Sequence, residues 1–494
     1  MYEAKYIQYL TKSHSRFAES HEITAVTQAY DPHAKSSGCG APLYYDNGIL
    51  YMDSDDNHTA VIGPTGCKKT RVSTFATVAS IIENGESAII NDPKQEIYYR
   101  TARRAEEKGA QVYLLNFRNP RRSHCWNPLA VPYSFHKSGR SDEANQAISD
   151  FAESVLSAHK KVTVDIYWAE TAQGFLNSIA LALMDSVTEN VFNMKSLIPL
   201  CYESGQKYLN KILINMDSNA PCALGLHAVL DLSAEKTKSC IYSTLAASLR
   251  PFAQNPALME MLSSSSFSIE DIGKKQTLIY IVYPDEKDSL NFLVNAFLTQ
   301  CYETLVSVAH EYPNDRLPLR VNFILDEFSN LTPVSNFANR ISESRSKNIR
   351  YFLYIQSYGQ LTEKYKECAD TILANCNNWV CFGSKDLPFL KKLADICGTE
   401  VDYNGVEHPL ISPSRMQHLT KTWESSEVLV IKQGQYPYVT ALPDIDHTPL
   451  FADYVPEKEA VEIKHPTADC IDGELWISGI AYLKIFSWPF RTAK

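Results

Sequence analysis

Residues 63–70, GPTGCKKT, contain the residue types that bind nucleotide phosphates. They follow the apolar run TAVI and precede a segment with helical spacing. In the pattern G-x-x-x-x-G-K-S/T, backbone N–H groups and the lysine contact the phosphates, and the last hydroxyl faces Mg²⁺. We call residues 63–70 the phosphate loop. We predict that it binds ATP through Gly63, Pro64, Thr65, Gly66, Cys67, Lys68, Lys69 and Thr70.

A second apolar run, VNFIL, ends in two adjacent carboxylates, Asp326 and Glu327. A buried strand that ends this way indicates a metal-binding, catalytic or helix-capping role. We predict that Asp326 holds Mg²⁺ through water and that Thr70 is the second protein ligand of this ion. Glu327 is then the residue that orients or deprotonates the attacking water. A helix N-cap is the alternative role for both carboxylates.

Lys68 stands where the phosphate-binding pattern has its second glycine. Glycine adopts a left-handed conformation there that costs a residue with a side chain roughly 1–2 kcal/mol. Lys68, Lys69 and Arg71 lie at the positive end of a helix dipole, where cations are disfavoured. A polyanion bound among them would be attracted by their charges, and this attraction would offset the strain at Lys68. Two expectations stay open: a loop that supports hydrolysis, and a loop that only binds nucleotide.

The elements around the phosphate loop alternate between strand and helix patterns. Strand patterns at 59–63, 86–92 and 110–117 are separated by helical patterns at 70–85 and 95–109. This βαβαβ order predicts a parallel sheet with right-handed crossovers. Asp92 and Lys94 end the second strand, and we expect it to lie beside the phosphate-loop strand, where α/β ligands gather. Solvated loop residues are the alternative for this pair.

The hydrophobic pattern changes along the chain and predicts several segments. Helical spacing fills 139–268 without a clear strand, and strands resume at QTLIYIVYP. The predicted segments are 1–57, an N-terminal segment with a β-hairpin at Asn47-Gly48; 58–138, the first part of the nucleotide-binding domain; 139–268, an all-α insertion; 269–445, the second part of the nucleotide-binding domain; and 446–494, a C-terminal tail.

Composition narrows the class of protein. The net charge is −10, so the chain as a whole is not a basic nucleic-acid binder, and any DNA contact needs local basic patches. Twelve cysteines without C-x-x-C spacing suit a reducing cytosol rather than a zinc site. No signal peptide and no apolar stretch of about 18 residues is evident. The C-terminal WISGIAYLKIFSWPF is expected to dock as a strand or helix rather than to anchor in a membrane.

The motifs, taken in order, resemble those of the TraG-like type IV coupling proteins. The resemblance runs from about residue 40 to 445 and rests on several segments. These are GPTGCKKT, NDPKQEIY, CWNPLA, YWAETA, EKTKSCIYSTL, IVYPDE, ILDEF and YIQSYGQL. The resemblance implies an α/β fold: a RecA-like P-loop NTPase core with a mostly parallel sheet and an inserted all-helical domain.

The resemblance also implies a function, partners and a place in the cell. Such an ATPase recruits DNA–relaxase or protein substrates to a conjugation or type IV secretion channel and drives their transfer. Its partners would be DNA bound without sequence preference, a relaxase or relaxosome, and channel proteins at the inner face of the membrane. A hexamer in the cytoplasm, peripheral to the membrane, is expected. The alternatives are a nucleotide-binding adaptor without hydrolysis that docks relaxase to the channel, and a chromosome- or phage-type DNA pump.

Two further catalytic candidates come with the resemblance. In RecA-like motors a polar side chain on the neighbouring strand end senses the γ-phosphate or the attacking water, and Gln356 takes that position. Arg345 matches a family arginine and would act as a finger on the site of a neighbouring subunit. The alternatives are a polar strand end for Gln356 and a solvated side chain for Arg345.

The sequence departs from the family pattern at three places. Lys68 and Gln95 replace glycines of the phosphate loop and of the D-P-K-G-E motif. The N-terminal transmembrane pair of many members is not evident, which fits either a lineage without this anchor or a chain that starts after it.

Tyr167 and Trp168 are expected in the core of the helical domain. The candidate DNA contacts are Arg103, Arg104, Arg118, Arg121, Arg122, Lys236 and Lys238.

Overall fold

The computed structural model describes residues 15–457 except 35–36, 161–165, 232, 285–289, 335, 403 and 405, together with 463, 465, 468, 475–476 and 482–483. The chain forms two compact units. The first, the sheet unit, comprises Met1–Val112, Glu270–Tyr280 and Leu305–Lys458. The second, the helical unit, comprises Tyr113–Ile269, Ile281–Thr304 and Glu459–Lys494. The predicted domain boundaries stay a prediction.

The strands are, in chain order, β1 (Gln28–Ala29), β2 (Ala41–Asp46), β3 (Ile49–Asp53), β4 (Thr59–Ile62), β5 (Ser87–Asn91), β6 (Gln111–Asn116), β7 (Thr277–Val282), β8 (Val321–Leu325), β9 (Ile349–Ile355), β10 (Asn378–Cys381), β11 (Thr399–Val401), β12 (Glu407–Pro409), β13 (Ser425–Lys432), β14 (Tyr438–Pro443), β15 (Leu475–Trp476) and β16 (Tyr482–Leu483).

The α-helices are α1 (Ser20–Ala25), α2 (Phe75–Glu83), α3 (Glu96–Glu107), α4 (Ala130–Lys137), α5 (Ser141–Lys160), α6 (Ile166–Ser186), α7 (Met194–Leu200), α8 (Gln206–Ile214), α9 (Pro221–Leu230), α10 (Glu235–Ala253), α11 (Pro256–Met261), α12 (Asn291–Ala309), α13 (Phe337–Ser344), α14 (Tyr358–Tyr365), α15 (Cys368–Ala374), α16 (Leu387–Cys397) and α17 (Pro413–Gln417). One π-helical turn, Thr70–Thr74, precedes α2.

A nine-stranded sheet in the order β14-β13-β10-β4-β9-β8-β5-β7-β6 is the main sheet. The neighbours from β10 to β5 pair in parallel, and β13 and β14 continue the sheet in antiparallel orientation. Strands β4, β5, β8 and β9 are buried along their whole length, as expected for parallel strands covered on both faces. The predicted α/β class with a mostly parallel sheet is confirmed.

The strand order differs from the sequence prediction in one respect. β5 does not lie beside β4, because β9 and β8 stand between them. The placement of Asp92 and Lys94 next to the phosphate-loop strand is therefore wrong. A βαβ pattern specifies a parallel crossover but leaves open how many strands the crossover skips.

The hairpin predicted at Asn47-Gly48 is present. β2 and β3 pair in antiparallel orientation with Asp46 opposite Ile49, so the turn contains two residues. Asn47 and Gly48 have φ values of 49° and 82°, which is the positive-φ pair of a type I′ turn. With β1 this hairpin forms a three-stranded sheet.

Helices fill the helical unit from α4 to α11, and the described part of this stretch contains no strand. The predicted helical region is thus confirmed as helical. One packing expectation is wrong: the Tyr167 side chain is 58% exposed, and Trp168 is only half-buried. Both lie in the first turn of α6, and full burial of this helix begins at Ala169.

One helix, α12, has the length and mean hydropathy of a membrane span, which the sequence analysis did not expect. Within its most apolar window, 78% of the residues are buried in the protein. Gln300 in this helix accepts a hydrogen bond from the Trp126 indole N–H at 3.2 Å and donates to the carbonyl of Pro128. These contacts are those of a core helix.

Some predicted features lie outside the described residues. The C-terminal segment WISGIAYLKIFSWPF is described only at Trp476 and at Tyr482–Leu483, where β15 and β16 pair in antiparallel orientation. Its docking role stays a prediction. Asp285 and Glu286 of the IVYPDE motif are also outside the described part.

Candidate functional site

The phosphate loop begins where β4 ends, at the carboxyl edge of the parallel strands. The N–H of Gly63 donates to the carbonyl of Ile355 at 3.0 Å, which extends the pairing of β4 with β9. A Cβ atom on Gly63 would lie 2.6 Å from the Cβ of Phe382, so only glycine fits this position. Gly66, at the tip, has a φ of 79°, and its carbonyl accepts a hydrogen bond from Lys421.

Lys68 has the left-handed backbone of the glycine that it replaces, with a φ of 74°. Its ammonium does not lie over the loop: Nζ donates to the Asp444 carboxylate at 2.8 Å and to the Trp423 carbonyl at 2.7 Å. Arg71 also pairs with Asp444. Protein carboxylates therefore already compensate the charges of Lys68 and Arg71, for which the sequence suggested a bound polyanion. The offset of the backbone strain by bound nucleotide stays a prediction.

Lys69 is buried within the phosphate loop. Its Nζ donates to the carbonyl of Gly63 and lies 3.4 Å from that of Pro64. Thr70 begins the π-helical turn, which is closed by the N–H of Phe75 donating to the Thr70 carbonyl. The two side chains predicted to meet phosphate and Mg²⁺ thus sit at the start of a helix, where backbone N–H groups also favour anions.

Asp326 follows β8 and is buried, with 4% of its surface exposed. Its carboxylate accepts a hydrogen bond from the N–H of Glu327 at 3.1 Å, and its carbonyl accepts one from the Asn91 side chain. Burial and the neighbouring charge of Glu327 raise the pKa of Asp326 to about 7, although the charges of Lys69 and Lys94 act in the opposite direction. The phosphate loop and Asp326 are therefore electrostatically coupled.

Glu327 has a left-handed backbone, with a φ of 54°, which is rare for glutamate and typical of functional sites. Its carboxylate accepts hydrogen bonds from the side-chain amides of Gln356 and, at 3.5 Å, Asn330. Lys94 Nζ lies 3.8 Å from the other carboxylate oxygen. The structure thus brings Glu327 and Gln356 together, and Lys94 reaches them although β5 is not next to β4.

Asp92 is buried at the end of β5, so the solvated alternative for this residue is wrong. Its carboxylate accepts a hydrogen bond from the Tyr98 N–H at 2.8 Å, at the start of α3. Burial raises the pKa of Asp92 to about 7 against the effect of this and a second backbone hydrogen bond. Gln95, which replaces the second family glycine, precedes α3 with a left-handed φ of 60°.

Arg345 lies at the amino ends of the parallel strands, whereas the phosphate loop lies at their carboxyl ends. It is exposed and precedes β9, whereas Gln356 follows this seven-residue strand. Strand rise separates the two ends by about 20 Å. Arg345 therefore does not contact the phosphate loop of its own chain.

A group of residues that was not predicted from the sequence contacts the phosphate loop from the β13 and β14 side. The Cys67 carbonyl accepts a hydrogen bond from Ser426 Oγ at 3.3 Å. The others are Lys421, Trp423 and Asp444. A paired-acid signal, DID after the strand YVTALP, was available in the sequence and resembles the Asp-Glu pair after VNFIL.

The candidate DNA contacts fall into two groups. Arg103, Arg104 and Lys238 pair with carboxylates, and the side chain of Arg118 donates to the Tyr283 carbonyl at 3.4 Å. Arg121, Arg122 and Lys236 are exposed and make no ion pair with the residues that the structure describes.

Among the described residues, no group of three or more His, Cys, Asp or Glu side chains is arranged to hold a metal ion. Such a cluster is not needed for Mg²⁺, which proteins commonly bind through one or two side chains together with substrate phosphates. A glycine loop after one central strand and an Asp-Glu pair after another, with an adjacent polar strand end, define a P-loop NTPase fold of the RecA-like class.

The family comparison narrows this class. The model for the type IV secretory system conjugative DNA transfer family matches residues 11–401. The chain belongs to this family, which confirms the resemblance to the type IV coupling proteins.

Known relatives agree with this assignment. The chain is 21% identical to protein VirD4 of Rhizobium rhizogenes over 358 residues, which cover 70% of this chain and 50% of the relative. It is 22% identical to protein VirD4 of Rhizobium radiobacter, with 70% and 48% covered. The chain thus spans about half the length of the curated relatives that it matches.

Solved structures share the fold. The plasmid coupling protein TrwB in complex with the ATP analogue ADPNP superimposes with a TM-score of 0.63 at 16% identity, covering 91% of this chain and 97% of TrwB. TrwB in complex with ADP and Mg²⁺ gives a TM-score of 0.58 at 15% identity, covering 92% and 95%.

Proposed function

We propose that this protein is an ATP-driven coupling protein. It would recruit DNA–relaxase or protein substrates to a conjugation or type IV secretion channel and drive their transfer. Family membership supports the substrate class, and one observation carries the motor role: the Glu327 carboxylate and the Gln356 amide meet at the edge of the sheet where the phosphate loop begins.

ATP is the proposed substrate of the phosphate loop. Lys69 would exchange its contacts with the loop carbonyls for the β- and γ-phosphates, and loop N–H groups would surround them. The related protein TrwB was solved with an ATP analogue and with ADP and Mg²⁺, which supports the same ligands here.

Thr70 and Asp326 are the proposed donors for Mg²⁺. Asp326 is buried beside Glu327, and a divalent cation would favour the ionised form of the Asp326 carboxylate. Thr70 would supply the hydroxyl ligand, and Asp326 would act through water. When bound, Mg²⁺ supplies charge neutralisation at the phosphate oxygens.

Hydrolysis is assigned to Glu327 and Gln356. Glu327 would accept a proton from the attacking water, and Gln356 would hold the Glu327 carboxylate and sense the γ-phosphate. Arg345 would act on the site of a neighbouring subunit in a hexamer, since its own chain keeps it about 20 Å away. Cross-complementation tests this finger: a mixture of Arg345→Ala and Glu327→Gln subunits should regain part of the ATPase activity.

A nucleotide-binding adaptor without hydrolysis is the second candidate, and the side chain at position 68 favours it. ATP turnover by the purified chain, with and without single- and double-stranded DNA, decides between the two. DNA-stimulated turnover supports the motor, whereas ATP binding without turnover under either condition supports the adaptor. Co-purification of a relaxase separates both from a chromosome- or phage-type DNA pump.

We propose that the protein acts in the cytoplasm at the inner face of the membrane, where channel proteins would bind it. Among the candidate DNA contacts in the described part of the chain, only Arg121, Arg122 and Lys236 are exposed without an ion pair or a side-chain hydrogen bond, which suits a weak and sequence-independent contact. Fractionation of cells with and without the channel genes tests this location. Channel-dependent recovery with membranes is the expected result, and recovery in the soluble fraction of both strains would contradict it.

A further inference from the structure

A chain of ion pairs connects the phosphate loop to the residues that follow β14. Asp444, whose side chain has no exposed surface, pairs with Lys68 at 2.8 Å and accepts a hydrogen bond from Arg71 Nε at 2.7 Å. Arg71 also pairs with Asp446, which in turn pairs with Arg100. Lys68 is the member of this network that belongs to the phosphate loop.

The geometry of Lys68 explains why it needs such a partner. At a φ of 74°, a residue with a Cβ is strained, and glycine at the same position is not. Lys68 is held at its far end by two acceptors, the Asp444 carboxylate and the Trp423 carbonyl. The side chain thus provides an anchor that glycine lacks and that alanine would also lack.

Asp444 is well suited to this task. Burial alone would raise its pKa, but the hydrogen bonds from Arg71 and Lys68 outweigh burial and lower the pKa to about 2. The carboxylate therefore stays ionised across the physiological pH range. A buried carboxylate with charged partners is held in one orientation.

We propose that Asp444 is a positioning residue for the phosphate loop: through Lys68 it holds the sixth loop position in the left-handed conformation that glycine adopts unaided. Lys68 and Asp444 together replace the missing glycine. This inference rests on the proposed nucleotide binding by the loop. It differs from a role of Lys68 as a phosphate ligand, in which the ammonium would turn away from Asp444.

Substitutions at position 68 distinguish the two roles. Lys68→Gly removes both the anchor and the need for it, whereas Lys68→Ala removes the anchor and keeps the strained Cβ. We expect Lys68→Ala to bind Mg-ATP roughly tenfold more weakly than Lys68→Gly. Lys68→Gly should bind Mg-ATP about as tightly as the wild type, because glycine adopts the loop conformation without the anchor. A phosphate ligand would instead make both variants bind Mg-ATP more weakly than the wild type, because both lack the ammonium, and a clear loss of affinity in Lys68→Gly would overturn the inference.

A substitution at Asp444 tests the other end of the anchor. Asp444→Asn should weaken Mg-ATP binding several-fold more in the wild-type background than in the Lys68→Gly background, because only the former depends on the anchor. Asp446→Asn is the matched control: it removes the neighbouring carboxylate without a contact to Lys68, and its effect should be the same in both backgrounds. Isothermal titration calorimetry measures the Mg-ATP affinity of the wild type, of Lys68→Gly, and of Asp444→Asn and Asp446→Asn in each of these two backgrounds.

Thermal melting without nucleotide separates this inference from the proposed function. Lys68→Ala should melt at a lower temperature than both Lys68→Gly and the wild type, whether or not the protein binds ATP, because only this variant combines the strained Cβ with the loss of the anchor. Failure of the wild type to bind Mg-ATP would overturn the proposed function. The melting temperatures of these proteins without nucleotide would then be the remaining test of the anchor. Equal melting temperatures of Lys68→Ala and the wild type, equal Mg-ATP affinities of the two variants at position 68, or equal effects of Asp444→Asn in both backgrounds would overturn the inference.

Discussion

The side-chain amide of Gln356 donates a hydrogen bond to the carboxylate of Glu327. The two residues follow adjacent parallel strands, β9 and β8, so the sheet itself brings them together. Lys94 lies 3.8 Å from the same carboxylate. Glu327 is thus oriented by the amide of Gln356 and by a weaker contact from Asn330, and it faces the Lys94 ammonium, which suits a base that accepts a proton from water.

Glu327→Gln should abolish ATP turnover while preserving ATP binding. The variant keeps the shape of the side chain and loses the group that accepts the proton, so a loss of at least about 100-fold in kcat is expected. Steady-state ATPase assays with DNA, together with calorimetric binding, measure both quantities. Asn330→Ala is the control for the weaker contact to the same carboxylate, and it should retain most of the activity. Wild-type turnover by Glu327→Gln would show that another group activates the water.

Lys69→Ala should weaken Mg-ATP binding. The charge-assisted contacts of this lysine contribute about 1.5–3 kcal/mol, so a 10- to 100-fold loss of affinity is expected. Lys421→Ala is the comparison variant: Lys421 also contacts a loop carbonyl but from the exposed side, so this variant should lose less Mg-ATP affinity than Lys69→Ala. An Mg-ATP affinity of Lys69→Ala equal to that of the wild type would remove the loop from the nucleotide site.

The local sequence pattern predicted the central part of the site. The phosphate loop, the Asp-Glu pair and Gln356 each follow a short apolar run, and parallel strands deliver their carboxyl ends to one edge. Their convergence therefore follows from the strand pattern together with the topology. Likewise, the left-handed backbone at Lys68 agrees with the glycine that the pattern requires there.

The remaining features depend on contacts that sequence spacing does not carry. Lys68 and Asp444 are 376 positions apart, so the partner of this loop residue is visible only in the fold. The buried Arg350, which pairs with Glu86 at 3.0 Å, is hidden inside a strand that otherwise looks apolar. The order of the strands in the sheet could not be predicted from the sequence either, because crossovers of similar length can skip different numbers of strands.

His58 should make folding stability depend on pH. It is buried, its Nδ1 accepts a hydrogen bond from the Tyr351 N–H at 3.0 Å, and its Nε2 lies 2.9 Å from the Ile341 carbonyl. Burial lowers the pKa of His58 to about 3, so the unfolded chain binds the proton more tightly. The stabilising contribution is complete above the ordinary value near 6.5 and is lost as the pH falls from there toward 3.

The variant His58→Asn isolates this contribution, because asparagine retains an acceptor for the Tyr351 N–H and does not titrate. The stability difference between wild type and variant should shrink by up to about 1.4 kcal/mol for each pH unit below 6.5. Urea unfolding of both proteins from pH 7.5 to pH 4.5 measures it. A difference that stays constant over this range would contradict the buried, neutral histidine.

DNA binding should depend on Arg121 and Arg122. Both are exposed, lie in one helical turn after β6, and make no ion pair with described residues. Reversal of both charges to glutamate should weaken binding to all sequences alike and flatten the salt dependence, since each lost phosphate contact lowers the slope by about one. Fluorescence anisotropy with two unrelated duplexes at several salt concentrations measures affinity and slope together. Arg103→Gln is the control, because this arginine is already paired with Glu457 and Glu107 and should change neither quantity. An unchanged slope in the double variant, or a loss confined to one duplex, would assign the DNA contact to another surface.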